Sequence, residues 1–443
     1  MGMGRQWVQD PFRRKSETHP TSQRNYFSCI LNGLFTRLGM NITHPSMVLS
    51  VFARMLGASN TLIGLIPAIR FGGWLLPQFL VASWIQPRPR KVPIAVAFES
   101  VRIVIYGTLA VLTYALGLSH PYLLLAVFFA VFSISRVTTG TGALARLDAI
   151  GKVIPPSRRA SFFAMRDFFG GILVFGAGLL VRLVLDTERG QPFPLGFTLL
   201  FALSCLSFIA GTLAFSRIAE IPDSDARPRH SLRAQLARAP TLLGQSAAFR
   251  RYLLVRILMD MIHIAAPFYS VFALDILGAP PFMVGFYLSA MTLAEILANL
   301  LWQRIDRIRG TLHMLRIVGL LTMLTPLLAA ILPWLMQGVG FTVEDRGLLP
   351  AYLFTAVFLI AGSSQSGRAI ALSSMLYSVA PDEERASYIG LTNTVLGFVS
   401  LLPIVSGTVI DRVGFEPVFI AATGLISLGY VAILRWKPEK DAL

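Results

Sequence analysis

Charge is scarce in this chain. Of 443 residues only 14% are Asp, Glu, Lys or Arg, while 54% are hydrophobic, and mean hydropathy is +0.64. So few charges cannot cover that much apolar surface in water, which excludes an ordinary soluble domain and makes the bilayer the solvent. Cysteine is nearly absent: Cys29 and Cys205 both fall in apolar runs, so no disulfide framework exists. Six histidines occur without metal-ligand spacing, and no His-Glu-x-x-His or Gly-x-Ser-x-Gly string is present. Neither a metal nor another cofactor is expected, and the common membrane hydrolases are excluded. A Gly-x-x-x-x-Gly-Lys-[Ser/Thr] loop is also missing, which removes ATP as a direct energy source. The first 25 residues have no apolar stretch and no small-residue cleavage site, so a basic tail is expected rather than a signal peptide. Gln6 stands where N-myristoylation would need Ser or Thr.

Acid is scarcer than base, 23 Asp and Glu against 39 Lys and Arg, for a net charge of +16. In a soluble protein that balance would suggest nucleic acid. Here the bases crowd alternate connections (Arg88, Arg90, Lys91, Arg304, Arg307, Arg309), while the opposite set holds Arg54, Arg189, Arg346 and Arg412. That asymmetry is the positive-inside pattern of a membrane protein with both termini in the cytoplasm, and no nucleic-acid partner is expected.

Repetition, by contrast, is plentiful. "LGASNTLIGL" (Leu56 to Leu65) returns 221 residues on as "LGAPPFMVGF" (Leu277 to Phe286), and "PPSRRASFFAMRD" (Pro155 to Asp167) returns 226 residues on as "PDEERASYIGLTN" (Pro381 to Asn393). A duplicated membrane protein of this length typically builds one path between two related halves. Runs of about 20 apolar residues, enough to cross ~30 Å of hydrocarbon, occur at 26–53, 60–84, 92–117, 121–145, 159–186, 194–217, 251–275, 282–303, 313–338, 348–376, 384–410 and 415–436. Pro45 predicts a kink in the first. These runs lack strand alternation, so the fold class is all-α integral membrane, with twelve transmembrane helices. The expected domains are a tail (1–25), a six-helix bundle (26–217), a central linker (218–250), a second bundle (251–436) and a short tail (437–443). Within the linker, Leu232, Leu236 and Leu243 alternate with Arg233 and Arg238, as in a helix lying on the inner leaflet or an ordinary basic linker.

Six plus six spans, a basic linker and the two repeats together resemble the major facilitator superfamily, from about Asn25 to Trp436. The strings "LGASNTLIGLIPAI", "ARLDAIGKVIPPSRRASFFAMRDFFGG" and "YSVAPDEERASYIGLTNTVLGF" are similar to those of its bacterial members. The superfamily's signature loop survives after span eight as "WQRIDRIRG", with Asp306 and Arg307, whereas "SWIQPRPRKVP" after span two has no Asp. "DRVG" at Asp411 to Gly414 is similar, but topology places it outside. The glycines of span five (Gly170, Gly171, Gly176, Gly178) read as packing residues and lack the proline of the antiporter motif. The resemblance implies that spans one, four, seven and ten line a cavity, and that two, five, eight and eleven form the interface between halves. It also implies a cytoplasmic gate of carboxylates and arginines, for which Arg158, Arg159, Arg166, Asp167, Asp306, Arg307 and Arg385 are the candidates.

A charge inside hydrocarbon is costly, so it should face a cavity or a partner. Span one holds Arg37, Asn41 and His44, with Arg37 about 16 Å along the helix from its expected start at 1.5 Å per residue. Asp260 and His263 share a face of span seven. Spans four and ten carry matching small-polar runs, in which Thr138 pairs with Ser364 and Thr139 with Gln365 at the 226 shift, and Arg136 and Arg368 lie within them. Substrate binding is therefore expected at Arg37, Asn41, His44, Arg136, Thr139, His263, Gln365 and Arg368. Asp260 and Glu295 are the candidate proton carriers, with a static salt bridge from Asp260 to a cavity arginine such as Arg37 as the other reading. Glu99 and Arg102 read as a structural pair, and Arg70 and Glu295 as an interface contact. The excess of cavity arginine points to an anionic or zwitterionic solute. The expected function is a secondary transporter, a monomer in the cytoplasmic membrane that moves a small organic solute, with protons as coupling ions, and not an enzyme. Two alternatives stay open: a lipid handler, assembly factor or sensor on the same fold, and a membrane-embedded transferase using His44 or His263.

Overall fold

The protein was described by a computed structural model that covers residues 20–85, 88–186, 191–220, 222, 243–244, 246–338, 348–381 and 384–436. All of its regular elements are helical. The first span is α1 (Pro20–Ile42), a π turn (Pro45–Leu49) and α2 (Ser50–Met55). Spans two to six are α3 (Asn60–Ile85), α4 (Val92–Leu116), α5 (Pro121–Val153), α6 (Pro156–Val184) and α7 (Leu195–Ser216). The seventh joins α8 (Ala247–Asp260) to α9 (Tyr269–Asp275) through two 3₁₀ turns (Met261–Ile264 and Ala266–Phe268). Spans eight to ten are α10 (Met283–Arg309), α11 (Thr311–Gly338) and α12 (Leu348–Val379). The eleventh is α13 (Arg385–Val399) with α14 (Leu402–Val413), and α15 (Phe415–Leu434) completes the twelve. Among the described residues, ten of these crossings are long and apolar enough to span a bilayer by length and composition. The interrupted first span and α3 are the other two. The amphipathic reading of Leu232 to Leu243 falls almost wholly outside the described residues, as do the tails before Pro20 and after Trp436.

Proline sets the interruptions. Pro45 cannot donate the helical hydrogen bond and lies at the first position of the π turn, as the kink predicted there requires. Pro267 sits inside the second 3₁₀ turn of span seven. Spans one and seven are thus both broken between their ends, span one after Ile42 and span seven after Asp260. Each then ends in a left-handed glycine, Gly57 at φ 87° and Gly278 at φ 69°, a conformation that costs a residue with a Cβ. The two glycines occupy the same position in their repeats.

The duplication is visible in the core. Phe52 meets Phe128, Phe197 and Phe201 at ring-centroid distances of 5.4, 5.2 and 5.1 Å. Phe272 meets Phe354, Phe415 and Phe419 at 5.5, 5.5 and 5.3 Å. Each cluster ties the second part of a broken span to spans four and six, or ten and twelve. The result is two pseudo-symmetric six-helix bundles, which meet along spans two with eleven and five with eight.

The two ends of the molecule differ. We call the end where span one starts the near end, and the end holding Gly57 and Gly278 the far end. At the far end the halves are bonded to each other. Arg54 pairs with Asp275 at 2.6 Å, each residue two positions before the Leu-Gly of its repeat. Asp411 of α14 accepts from the backbone N–H of Asn60 at 2.8 Å and of Thr61 at 2.9 Å, and from the Thr61 hydroxyl at 2.7 Å. Its carboxylate therefore caps the N-terminus of α3 from the other half, where a negative charge is favoured. Ser289 also donates to the Phe175 carbonyl at 3.1 Å. Near-end polar contacts run within a half: the Asn25 amide exchanges two hydrogen bonds with the Ala219 backbone, and Glu220 accepts from Lys91 N, Val92 N and Lys152 Nζ.

Candidate functional site

A polar cavity lies between the halves at the level of the span breaks, in two adjoining lobes of about 280 Å³ each. The breaks create it. Where α8 gives way to 3₁₀ turns, Asp260 and His263 are turned into both lobes, and where α1 gives way to the π turn, His44 reaches the second.

Asp260 is only 4% exposed and lies between two arginines. Arg256, one turn earlier on α8, donates from Nε to its Oδ2 at 2.7 Å. Arg368 of α12 brings Nε to 3.5 Å from its Oδ1. A buried carboxylate needs such partners. The expected partner Arg37 is not one of them. Arg256 was missing from the expected site, although an Arg–Asp pair four residues apart in an apolar span was a readable signal. His263 packs across the halves on Phe71, with ring centroids 5.9 Å apart. Arg70, Gln365 and Tyr269 line the second lobe as well. Of the residues that line this lobe, His44 and Tyr269 each hold a buried polar atom, Nδ1 and the hydroxyl, with no hydrogen-bond partner among the described residues.

Several expected cavity residues lie elsewhere. Arg37 pairs with Asp167 at 3.0 Å inside the first half, and Arg166 approaches the same oxygen at 3.3 Å. Asn41 donates to the Arg37 carbonyl at 2.8 Å. Glu295, half-buried on α10, is within electrostatic reach of Arg37 and Asp167 of the other half. It does not meet Arg70, so the contact expected between those two is corrected. Arg136 is buried on α5, over the Phe132 ring at 5.3 Å and packed where Gly73 leaves room on α3. Thr139 is buried beside it, its hydroxyl without a partner among the described residues. Neither lines the lobes.

The expected gate residues stand at the near end. Arg159 donates to the Gly151 carbonyl at 2.7 Å and the Ile154 carbonyl at 3.2 Å, closing the end of α5. Asp306 accepts from Thr311 at 2.7 Å, and Arg385 lies over the Tyr377 ring at 5.5 Å. Arg158 is half-buried and Arg307 exposed. Glu99 and Arg102 pair as expected, and Arg146 joins them. No group of His, Cys, Asp and Glu among the described residues is arranged to hold a metal.

Twelve spans in two related bundles around a central polar cavity are the architecture of a membrane transport protein. Residues 257–443 match the profile of the Major Facilitator Superfamily, and the chain as a whole has that superfamily's fold, its second half recognisable in sequence as well. A bacterial homologue of the iron transporter ferroportin in an inward-facing state superposes with a TM-score of 0.67 at 14% identity, covering 94% of this chain and 99% of that one. Its outward-facing form gives 0.57 at 14% identity, with 93% and 98% covered. The nucleoside transporter NupG gives 0.67 at 15% identity over 95% and 100% of the two chains. No curated protein sequence matches the chain.

Proposed function

We propose that the protein is a secondary transporter that carries a small anionic or zwitterionic organic solute across the cytoplasmic membrane by alternating access. The observation that carries this reading is the arginine-rich cavity, placed at the level of the span breaks, with inter-half bonds among the described residues found toward the far end. Basic loops favour a near end in the cytoplasm, and on that reading a cavity bonded shut toward the far end opens inward. The better superposition on the inward-facing relative supports that assignment. The protein works as a monomer, both chain ends in the cytoplasm. In the opposite state, Arg158, Arg159, Arg166, Asp167, Asp306, Arg307 and Arg385 close the near end.

Protons are the coupling ions in this reading, with Asp260 and Glu295 as carriers. A solute anion reaching Arg368 competes with Asp260 for it, which would link binding to protonation. Glu295 is within electrostatic reach of Arg37 and Asp167 of the other half, so its charge would respond to their separation. Proteoliposome flux tests the assignment. Asp260→Asn is expected to abolish pH-gradient-driven accumulation while sparing solute exchange, and Glu295→Gln to do the same. Unchanged accumulation would remove the residue concerned from that role.

A further inference from the structure

The two lobes are unlike, and their difference describes a ligand. The first lobe is walled by Phe71, Trp74, Leu396, Val399 and Pro403, with Asn393 and Ser400 at its edge. It shares Pro67, Phe71, Arg256, Asp260 and His263 with the second. The second lobe is where cationic groups outnumber acids: Arg70, Arg256 and Arg368 line it against Asp260 alone. Asp260 is already held by two of them. Arg70 comes from the other half, has no carboxylate partner among the described residues, and has Arg136, another cation, as a charged neighbour. Tyr269 and His44 also line it, and the Tyr269 hydroxyl and His44 Nδ1 are buried without a hydrogen-bond partner among the described residues. Tyr269 is 2% exposed and Arg368 7%, so the lobe is a built site rather than a surface patch. An uncompensated arginine in a secluded pocket calls for an anion, and an apolar annex that water fills poorly calls for hydrocarbon or an aromatic ring.

We infer that the two lobes hold one amphiphilic organic anion, its carboxylate or phosphate head between Arg70 and Arg368 with the Tyr269 hydroxyl donating to it, and its apolar body against Phe71, Trp74 and Leu396. The head would bridge the two halves. The inference deepens the transport reading by naming a solute class, and its test is a binding measurement that needs no flux.

The test is titration calorimetry on the full chain in nanodiscs of zwitterionic lipid. The probes are n-alkanoates from butanoate to dodecanoate, alkyl phosphates, and alkan-1-ols of matching length. Anions are expected to bind at least tenfold more tightly than the alcohols, because a charged head gains hydrogen bonds that a hydroxyl does not. Affinity should rise by up to about fourfold for each methylene until the apolar lobe is full. Arg70→Gln should weaken anions roughly tenfold to a hundredfold and leave alcohols unchanged, while Arg70→Lys recovers part of the loss and shows that the fold survives. Leu396→Trp should flatten the chain-length dependence and keep butanoate binding. Octanoate and lysophosphatidate separate a water-soluble anion from a lipid headgroup, and saturable binding of either supports the inference. Equal binding of alcohols and anions, or a flat length series in the unaltered protein, overturns it. Anion binding without flux would overturn the transport reading alone, and flux of another solute with no anion binding would overturn this inference alone.

Discussion

The two halves share a scaffold and divide the charges between them. In the first half the ionic groups are turned inward on their own bundle: Glu99 with Arg102 and Arg146, Glu220 with Lys91 and Lys152, Arg37 with Asp167. The second half sends Asp260, Arg256 and Arg368 into the cavity. Arg70 is the main exception, a first-half cation that faces the opposite set. Duplication conserves packing, as the two phenylalanine clusters show, because a core position admits few shapes. Cavity positions carry no such constraint, and the halves have diverged there into a bundle that pairs its charges internally and one that turns them to the cavity.

The largest test of that division is to remove one acid from each half. Glu99→Gln strands Arg102, a cation 1% exposed, and is expected to cost about 3–5 kcal/mol of stability. The readout is a lower melting temperature or loss of monodisperse protein, with ligand affinity unchanged in what remains. Asp260→Asn, beside a cavity, should cost about 1–2 kcal/mol, and its main effect should be on flux. If the two variants behaved alike, the division would fail.

The shared scaffold can be tested at Gly64 and Gly285, which hold the same place in the two repeats. A Cβ at Gly64 would strike the Pro403 carbonyl, and one at Gly285 would strike the backbone of Arg182. Gly64→Val and Gly285→Val should each cost about 1–3 kcal/mol by overpacking, and each should raise the reactivity of cysteines placed at the far end. A large effect at one site and none at the other would show that the interfaces are not equivalent. The smallest effect is expected at Arg54 and Asp275, whose side chains are 35% and 22% exposed. A double-mutant cycle there should return a coupling of about 0.2–1 kcal/mol. A coupling several times larger would make that pair, rather than helix packing, the main closure of the far end.

Much of this was legible in the sequence because apolar run length and duplication are properties of composition and order. The twelve spans stood out, and Pro45 marked its break. Spans four and eight run on as helix to Val153 and Arg309, past their expected ends at 145 and 303, since a helix does not end where hydrocarbon does. The break in span seven escaped notice because hydropathy is blind to backbone geometry, although Pro267 was there to be read. Arg136 and Arg368 lay in matching runs without being equivalent. At the 226 shift Arg368 matches Gly142, six residues beyond Arg136, and at about 100° per residue the two arginines point to different faces. That phase was available and explains why only Arg368 reaches the cavity. Topology puts Asp411 on the outer side, where the signature loop has no place, and at that end it bonds the halves together.

Its placement has a consequence for how firmly that end is held. Asp411 receives its hydrogen bonds at the end of the bundle, and if the two halves parted there water could take over as partner to the carboxylate and to the N–H groups of Asn60 and Thr61. Each such exchange is worth only about 0.5–1.5 kcal/mol net. The closure is therefore specific in geometry yet shallow in depth, held by several weak bonds that water can replace one at a time.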